Sequence, residues 1–262
     1  MSTVQDICDF LERLAPGDLA EDWDNVGLLV GDRGAPVKHA MTCLTVTADS
    51  VNEASGQKAD LVVTHHPLPF RPLKRLTTDT PEGRYLLELI QAGVAVYSAH
   101  TAFDSAGSGI NQQLAEGLLL ANIAPLVVQD PESVIGSGRL GECDQPVTLA
   151  EFGQRLKEFL GIDHLRVVGA TDRAIGRVAV ACGSAGEFLP AARLAGADVL
   201  VTGETSFHTC LAAEAHGLGL LLTGHYASER FAMEQLAVEL AGEFSDVKVW
   251  ASRQEKDPLA ML

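Results

Sequence analysis

The sequence predicts an α/β protein. Short apolar runs, among them "DLVVT", "VAVYS", "ADVLVT" and "LGLLLT", alternate with stretches of helical periodicity along most of the chain. These runs are apolar at successive positions, as strands buried on both faces are, and strands of that kind belong to sheets layered with helices. At 262 residues, 47% hydrophobic and 21% charged, the chain is long enough to bury one large core or two modest ones.

The elements follow in order. Thr3 and Asp6 make a T-x-x-D capping box, and Val4, Ile7, Cys8, Leu11 and Leu14 repeat at helical spacing behind it. "APGDLAEDWDNVGLLVGD" reads as a loop and short strand closed by a Gly31-Asp32 turn, and "HAMTCLTVTAD" as a strand rich in Thr and Val. "SVNEASGQKA" is a short helix leading into "DLVVTHH". Thr80-Pro81 opens the next helix with proline at its first position, Gly93 closes it, and the strand "VAVYSAH" follows. "SGINQQLAEGLLLA" is helical. From about 121 to 147 periodicity weakens and Pro125, Pro131 and Pro146 punctuate the chain, which places a domain junction near the start of that segment. Thr148 and Glu151 cap another helix, and strand, glycine-rich turn, helix and strand then run through "RVAVACGSAGEFLPAARLAGADVLVTGE". "TSFHTCLAAEAHG" is a helix, "LGLLLTGHYASERFAMEQLAVELAGEF" a strand and long helix, and "DVKVWAS" a last strand.

Composition excludes some functions. A formal net charge of −16 opposes binding to nucleic acid or anionic membranes, although a metal or local basic cluster can still favour a small anionic substrate. Cys8, Cys43, Cys143, Cys182 and Cys210 are dispersed without a C-x-x-C pair, the pattern of reduced thiols in a cytoplasmic protein. The first residues lack a secretory apolar core, and no apolar run reaches membrane-spanning length.

Four strands finish alike: "DLVVTHH", "VAVYSAH", "ADVLVTGE" and "LGLLLTGH" each end in Ser or Thr followed within two residues by His or Glu. Open α/β sheets place ligand sites outside the carboxyl ends of their strands, so four such endings point to one convergent site. Adjacent side chains of an extended strand diverge, so His65 and His66 can serve one site only where the strand has ended, and Pro67 favours that. "HYASE" sets His225 and Glu229 four apart on one helix face, while "HTAFD" and "GETSFH" give His100 with Asp104 and Glu204 with His208 the same offset. The acids alone also suit helix N-termini, but that does not account for the histidines. Two adjacent histidines, a further histidine and two carboxylates exceed the needs of one ion, whereas ion pairs about 3.5–4 Å apart are a hydrolytic device. His65 and His66 are therefore read as ligands to two neighbouring divalent ions, and a His/carboxylate set suits Zn, Mn, Fe, Co or Ni.

These residues resemble the dinuclear-metal family of GTP cyclohydrolase I type 2 homologues. The resemblance rests on "WDNVGLLVGD", "ADLVVTHHPLPFRPLKRL", "GRYLLELIQAGVAVYSAHTAFD", "GADVLVTGE" with His208 following, "GHYASE" and the terminal "DPL", and it covers almost the whole chain. It implies two interleaved α/β domains with related mixed sheets and a metal site at the carboxyl ends of strands. The expected division is 1–125, an inserted domain at 126–219, and a returning segment at 220–262. It further implies a toroidal homohexamer with metal pairs facing the inner cavity, in the compact bacterial form that lacks a large insertion. The metal ligands fall on His65, His66, Asp104, His225 and Glu229, with Glu229 as the bridge, His100 beside them, and Glu204 and His208 lining the site.

Two functions are compatible with this set. In a metal-dependent hydrolase, GTP cyclohydrolase-like or acting on phosphoesters or nucleotides, a hydroxide bridging the ions would attack carbon or phosphorus. His208 would be first among the proton carriers, with Glu204 and His100 as the others. Arg71, Lys74 and Arg75 could then receive a substrate phosphate, against the plainer reading of solvated loop charges. The alternative is a non-catalytic metal-binding scaffold, chaperone or sensor. "CGSAG" lacks the first glycine of a nucleophile elbow and reads as a tightly packed strand-to-helix turn. No phosphate-binding P-loop is present, and His39, His164 and His216 read as surface or packing residues.

Overall fold

A computed structural model describes residues 1–128 and 135–260; Pro131, one of the punctuating prolines, lies outside the described residues. In chain order the elements begin with α1 (Val4–Leu14), β1 (Gly27–Val30), β2 (His39–Cys43), α2 (Ala48–Gly56) and β3 (Leu61–Thr64). Next come α3 (Pro81–Gln91), β4 (Ala95–Ser98), α4 (His100–Ser105), α5 (Ile110–Gly117), β5 (Ala121–Val127) and β6 (Ser137–Thr148). Then follow α6 (Leu149–Leu160), β7 (Arg166–Val168), β8 (Ala174–Ala181), α7 (Leu189–Leu194) and β9 (Val199–Thr202). The last are α8 (Phe207–Ala215), β10 (Gly219–Leu222), α9 (His225–Glu243) and β11 (Lys248–Ala251). The chain is α/β with two mixed sheets, one in each of two compact units: Met1–Phe103 with Ala232–Leu262, and Asp104–Phe231.

The first unit holds a five-stranded sheet in the order β1-β4-β3-β2-β11. β4, β3, β2 and β11 run parallel, and β1 joins the β4 edge antiparallel. α1 starts where its capping box places it: the Thr3 hydroxyl accepts from the Asp6 amide, and the Asp6 carboxylate accepts from the Thr3 amide at 2.8 Å. The sheet's core includes Met41, Val62 and Val96, on which Val51 of α2 and Leu86 and Leu89 of α3 pack. The returning segment is fastened by Glu53 of α2. Its carboxylate accepts from Trp250 Nε1 at 3.1 Å, Ser252 Oγ at 2.7 Å and the amides of Arg253 and Gln254 at 2.9 and 3.0 Å.

The second unit holds a six-stranded sheet in the order β5-β6-β8-β9-β10-β7, with β8, β9 and β10 parallel and the other pairings antiparallel. Sequence periodicity misses β5, β6 and β7, each for a physical reason. β5 is an edge strand with several exposed residues and so shows no apolar alternation, and an edge tolerates Pro125. β6 carries Pro146 where its register with β8 shifts, between Glu142 and Val147. β7 has only three residues.

The division of the chain also differs from the expectation at 125/126 and 219/220. α5 belongs to the second unit because its Leu114 and Ala115, with Leu118 just beyond, join Phe152, Val178 and Val199 in that unit's core. The chain returns to the first unit within α9, at Ala232.

Burial raises the carboxyl pKa of Glu53, but the hydrogen bonds from Ser252, the Arg253 and Gln254 amides and Trp250 outweigh it and hold the group below the usual range. Its stabilising contribution is thus complete above the unfolded-state pKa and lost as pH falls through the folded one. Glu53→Gln is expected to cost about 2 kcal/mol at neutral pH, as hydrogen bonds to a charged acceptor do. Urea unfolding in a descending pH series should show the gap between wild type and variant narrowing on acidification; a constant gap would contradict the assignment.

Candidate metal centre

In the first unit, β3 and β4 pair in parallel with Thr64 opposite Ser98, so their next residues leave the sheet at one level. The hydroxyls that end both strands fix the backbone beyond them. Ser98 Oγ donates to the His65 carbonyl at 2.6 Å, and Thr64 Oγ1 donates to the carbonyls of Leu44 and His66 at 3.1 and 3.2 Å. The amides of His65 and His66 donate to the carbonyls of Cys43 and Leu44. Two adjacent histidines are thereby held after the strand has ended, with ring centroids 5.0 Å apart.

His100 closes the group, 5.1 Å from the His65 ring and 5.5 Å from the His66 ring. Each of His65, His66 and His100 offers a ring nitrogen, and the three nitrogens lie within 4.8 Å of one another. His65 is 1% exposed and His100 8%. His66 Nδ1 meets Thr45 Oγ1 at 2.7 Å, and His100 Nδ1 meets Asp24 Oδ1 at 2.7 Å. With Nδ1 so engaged, both rings would ligate an ion through Nε2, the arrangement in which a partner on the other nitrogen orients a metal-binding imidazole.

Asp24 is the residue that sequence reasoning missed. Its side chain is 1% exposed and accepts from His100, from the Thr101 amide at 3.1 Å and from Thr101 Oγ1 at 2.5 Å. Burial raises its pKa, but the hydrogen bonds from His100 and Thr101 prevail and lower it to about 2, so it stays a carboxylate. His100 sits at φ 25°, unfavourable for a side chain with a Cβ, and the bonds of Asp24 to His100 and Thr101 hold that conformation. The available signal was chemical: an imidazole ligand needs its second nitrogen held, and "WDN" offers a carboxylate.

The second unit repeats the device. β9 and β10 pair in parallel with Thr202 opposite Leu222, and Glu204 and His225 follow their ends. His225 opens α9, with Nε2 3.2 Å from Glu229 Oε2 one turn along and Nδ1 3.0 Å from Glu204 Oε1. The Glu229 hydrogen bond, opposed by burial and aided by Glu204, lifts the His225 pKa to about 9. A field that favours an imidazolium also favours a metal cation at the same donors.

Asp104 lies at the start of this unit, and its neighbours are fastened. Asn111 Nδ2 donates to the Asp104 carbonyl at 3.0 Å, while Asn111 Oδ1 accepts from the Cys182 amide at 2.8 Å. The buried Arg139 donates to the carbonyls of Ser105 and Ala106. Burial, then the charges of Glu229 and Asp104, push the Cys182 thiol pKa well up.

The "CGSAG" turn is a packing device. The Gly183 amide donates to Ser228 Oγ at 2.9 Å, and its carbonyl accepts from the Glu204 amide at 2.9 Å. Gly183 has φ 67°, and a Cβ there would lie 2.3 Å from Glu229 Oε1. Of the remaining candidates, His208 is exposed on the first turn of α8 beside Phe207 and joins neither donor group. Arg71, Lys74 and Arg75 lie on an exposed loop after the double histidine.

Imidazoles and carboxylates gathered after the ends of parallel strands define a class: α/β proteins whose His/Glu groups could hold a metal ion. This chain belongs to the Duf34/NIF3 (NGG1p interacting factor 3) family, whose pattern matches residues 2–258. It is similar to the GTP cyclohydrolase 1 type 2 homolog of Clostridium perfringens, 35% identical over 261 residues and 99% of each chain. It is also similar to the protein of the same name from Clostridium acetobutylicum, 36% identical over 241 residues, 91% of this chain and 90% of that one. Among solved structures, Staphylococcus aureus protein SA1388 superposes with a TM-score of 0.89 at 28% identity, covering 100% of this chain and 99% of that one. Among the described residues no helix is long and apolar enough to cross a membrane.

Gly183→Ala tests the close approach to Glu229. The added methyl must displace the carboxylate, and the positive φ adds strain, so the variant is expected to lose about 1–3 kcal/mol in urea unfolding. A wild-type midpoint would refute the packing role.

Proposed function

We propose that the protein is a metal-dependent hydrolase in which His65, His66, Asp104, His225 and Glu229 would hold two divalent ions, Zn, Mn, Fe, Co or Ni, with His100 beside them in the histidine group. The observation that carries this reading is the histidine trio of the first unit, with three ring nitrogens within 4.8 Å after two adjacent parallel strands. The name of the clostridial relatives supports a hydrolytic reaction on a purine nucleotide. Ions bound there would supply Lewis-acid activation of the substrate.

The chain's own residues orient and move protons. Asp24 holds His100 by Nδ1, so the ring keeps one tautomer and one direction. Glu204 does the same for His225. Proton transfer falls to Glu204 ahead of His208, since Glu204 is bonded into a donor group and His208 is not. The substrate is a small anionic molecule, the assembly a homohexamer and the compartment the cytoplasm, which five cysteines dispersed without a C-x-x-C pair support.

Elemental analysis of protein purified without chelators is expected to find about two ions per chain, falling sharply in Glu229→Ala. Metal retained without turnover of any nucleotide or phosphoester would instead favour the scaffold reading. Asp24→Asn keeps the shape but removes the charge that orients His100. It should weaken metal binding roughly 10- to 100-fold by calorimetry while leaving the fold intact. Unchanged affinity would remove Asp24 from the site.

A further inference from the structure

We infer that Trp23 and Phe70 form an aromatic shelf beside the histidine trio, on which the base of a nucleotide stacks while Arg71, Lys74 and Arg75 receive its phosphates. The inference rests on the proposed hydrolase reading and deepens it by naming the residues of the same site that recognise the nucleotide's base and phosphates.

Trp23 is 61% exposed and Phe70 42%. Their ring centroids lie 5.9 Å apart, and each lies 5.9 or 5.8 Å from the ring of His100. Two large aromatics left open beside a buried imidazole group are an apolar surface awaiting a partner.

An exposed tryptophan on a loose loop would mean little, but this one is held from both sides. Asp24, the next residue, is bonded to His100 and Thr101. Asn25 Nδ2 donates at 2.8 Å to the carbonyl of Pro69, the residue before Phe70. On the other side, the Glu21 amide donates to Thr101 Oγ1 at 3.0 Å. The rings are thus presented in place before any ligand arrives, which lowers the ordering cost of binding.

The charge on the loop that carries Phe70 selects the occupant. Phe70 opens "FRPLKRL", which carries three cations and no acid in a chain of net charge −16. Among the described residues none of the three cations has an ion-pair partner. Cations that follow an exposed ring in the same loop suit a planar base joined to phosphates: aromatic faces stack on any base, and guanidinium groups match phosphate oxygens. The two rings are tilted by 41° and too close to sandwich a base, so they form one wall.

Isothermal titration of the metal-loaded full chain with the four ribonucleoside triphosphates and with inorganic tripolyphosphate tests this. At least one nucleotide is expected to bind more tightly than tripolyphosphate. Trp23→Ala should weaken that nucleotide roughly 5- to 100-fold and leave tripolyphosphate unchanged, with Trp23→Phe recovering most of the loss. Replacing Arg71, Lys74 and Arg75 together by alanine should weaken both ligands. The shelf is overturned if no nucleotide exceeds tripolyphosphate, or if Trp23→Ala binds nucleotides as wild type does. Metal content of the same samples separates the two readings. A metal-free wild type that binds nucleotide through Trp23 refutes the hydrolase alone, and a metal-loaded one indifferent to the base refutes the shelf alone.

Discussion

Parallel pairing in register is the constraint on which the donor groups depend. Thr64 opposite Ser98, and Thr202 opposite Leu222, bring neighbouring strands to an end at one level. A sheet that stops leaves backbone carbonyls without a ladder partner, and each costs free energy if buried unpaired. The hydroxyls in the endings answer that need: Ser98 donates to His65, Thr64 to Leu44 and His66, and Thr202 to Gly183. The recurrent pattern of hydroxyl followed by donor is therefore two requirements met in sequence, closure of the ladder and presentation of a ligand.

A second layer orients the imidazoles with carboxylates. Asp24 holds His100 in the first unit, and Glu204 and Glu229 bracket His225 in the second. In both cases a buried or half-buried ring has a fixed direction because a negative charge holds one of its nitrogens. The close turn at Gly183 belongs to the same layer, since only a residue without a side chain leaves space for the Glu229 carboxylate.

What was legible in the sequence was what is encoded locally. Thr3, Thr80 and Thr148 marked helix starts because a cap and its apolar stripe lie within a few residues of one another. The histidines at 65, 66, 100 and 225 stood out because they follow the ends of three apolar strands. Asp24 did not, because it meets His100 across 76 residues of sequence and nothing in spacing links them. The unit boundary falls earlier than periodicity suggests for a similar reason. α5 has the same amphipathic pattern whichever core it enters, and only the packing of Leu114 with Phe152 and Val178 assigns it. β5 hid because an exposed edge strand has no alternation to read. His208 illustrates the converse: its offset from Glu204 was suggestive, but its position on the open side of α8 was not encoded in that offset.

The returning segment has a consequence for the order in which the protein takes shape as it is made. The second unit is one uninterrupted stretch, Asp104–Phe231, with its own core, so everything it needs has emerged from the ribosome once Phe231 is clear. The first unit starts earlier but cannot finish. Its β2, paired with β3 on one side, lacks its second neighbour until β11 arrives, Thr42 lacks the Met233 carbonyl to which it donates, and Glu53 waits for residues 250 to 254. Domains emerging during synthesis ordinarily mature from the N-terminus onward. Here the later-synthesised unit is complete first, and the nascent β2 edge stays open through most of translation, a stage at which a chaperone has more to protect than in the finished chain.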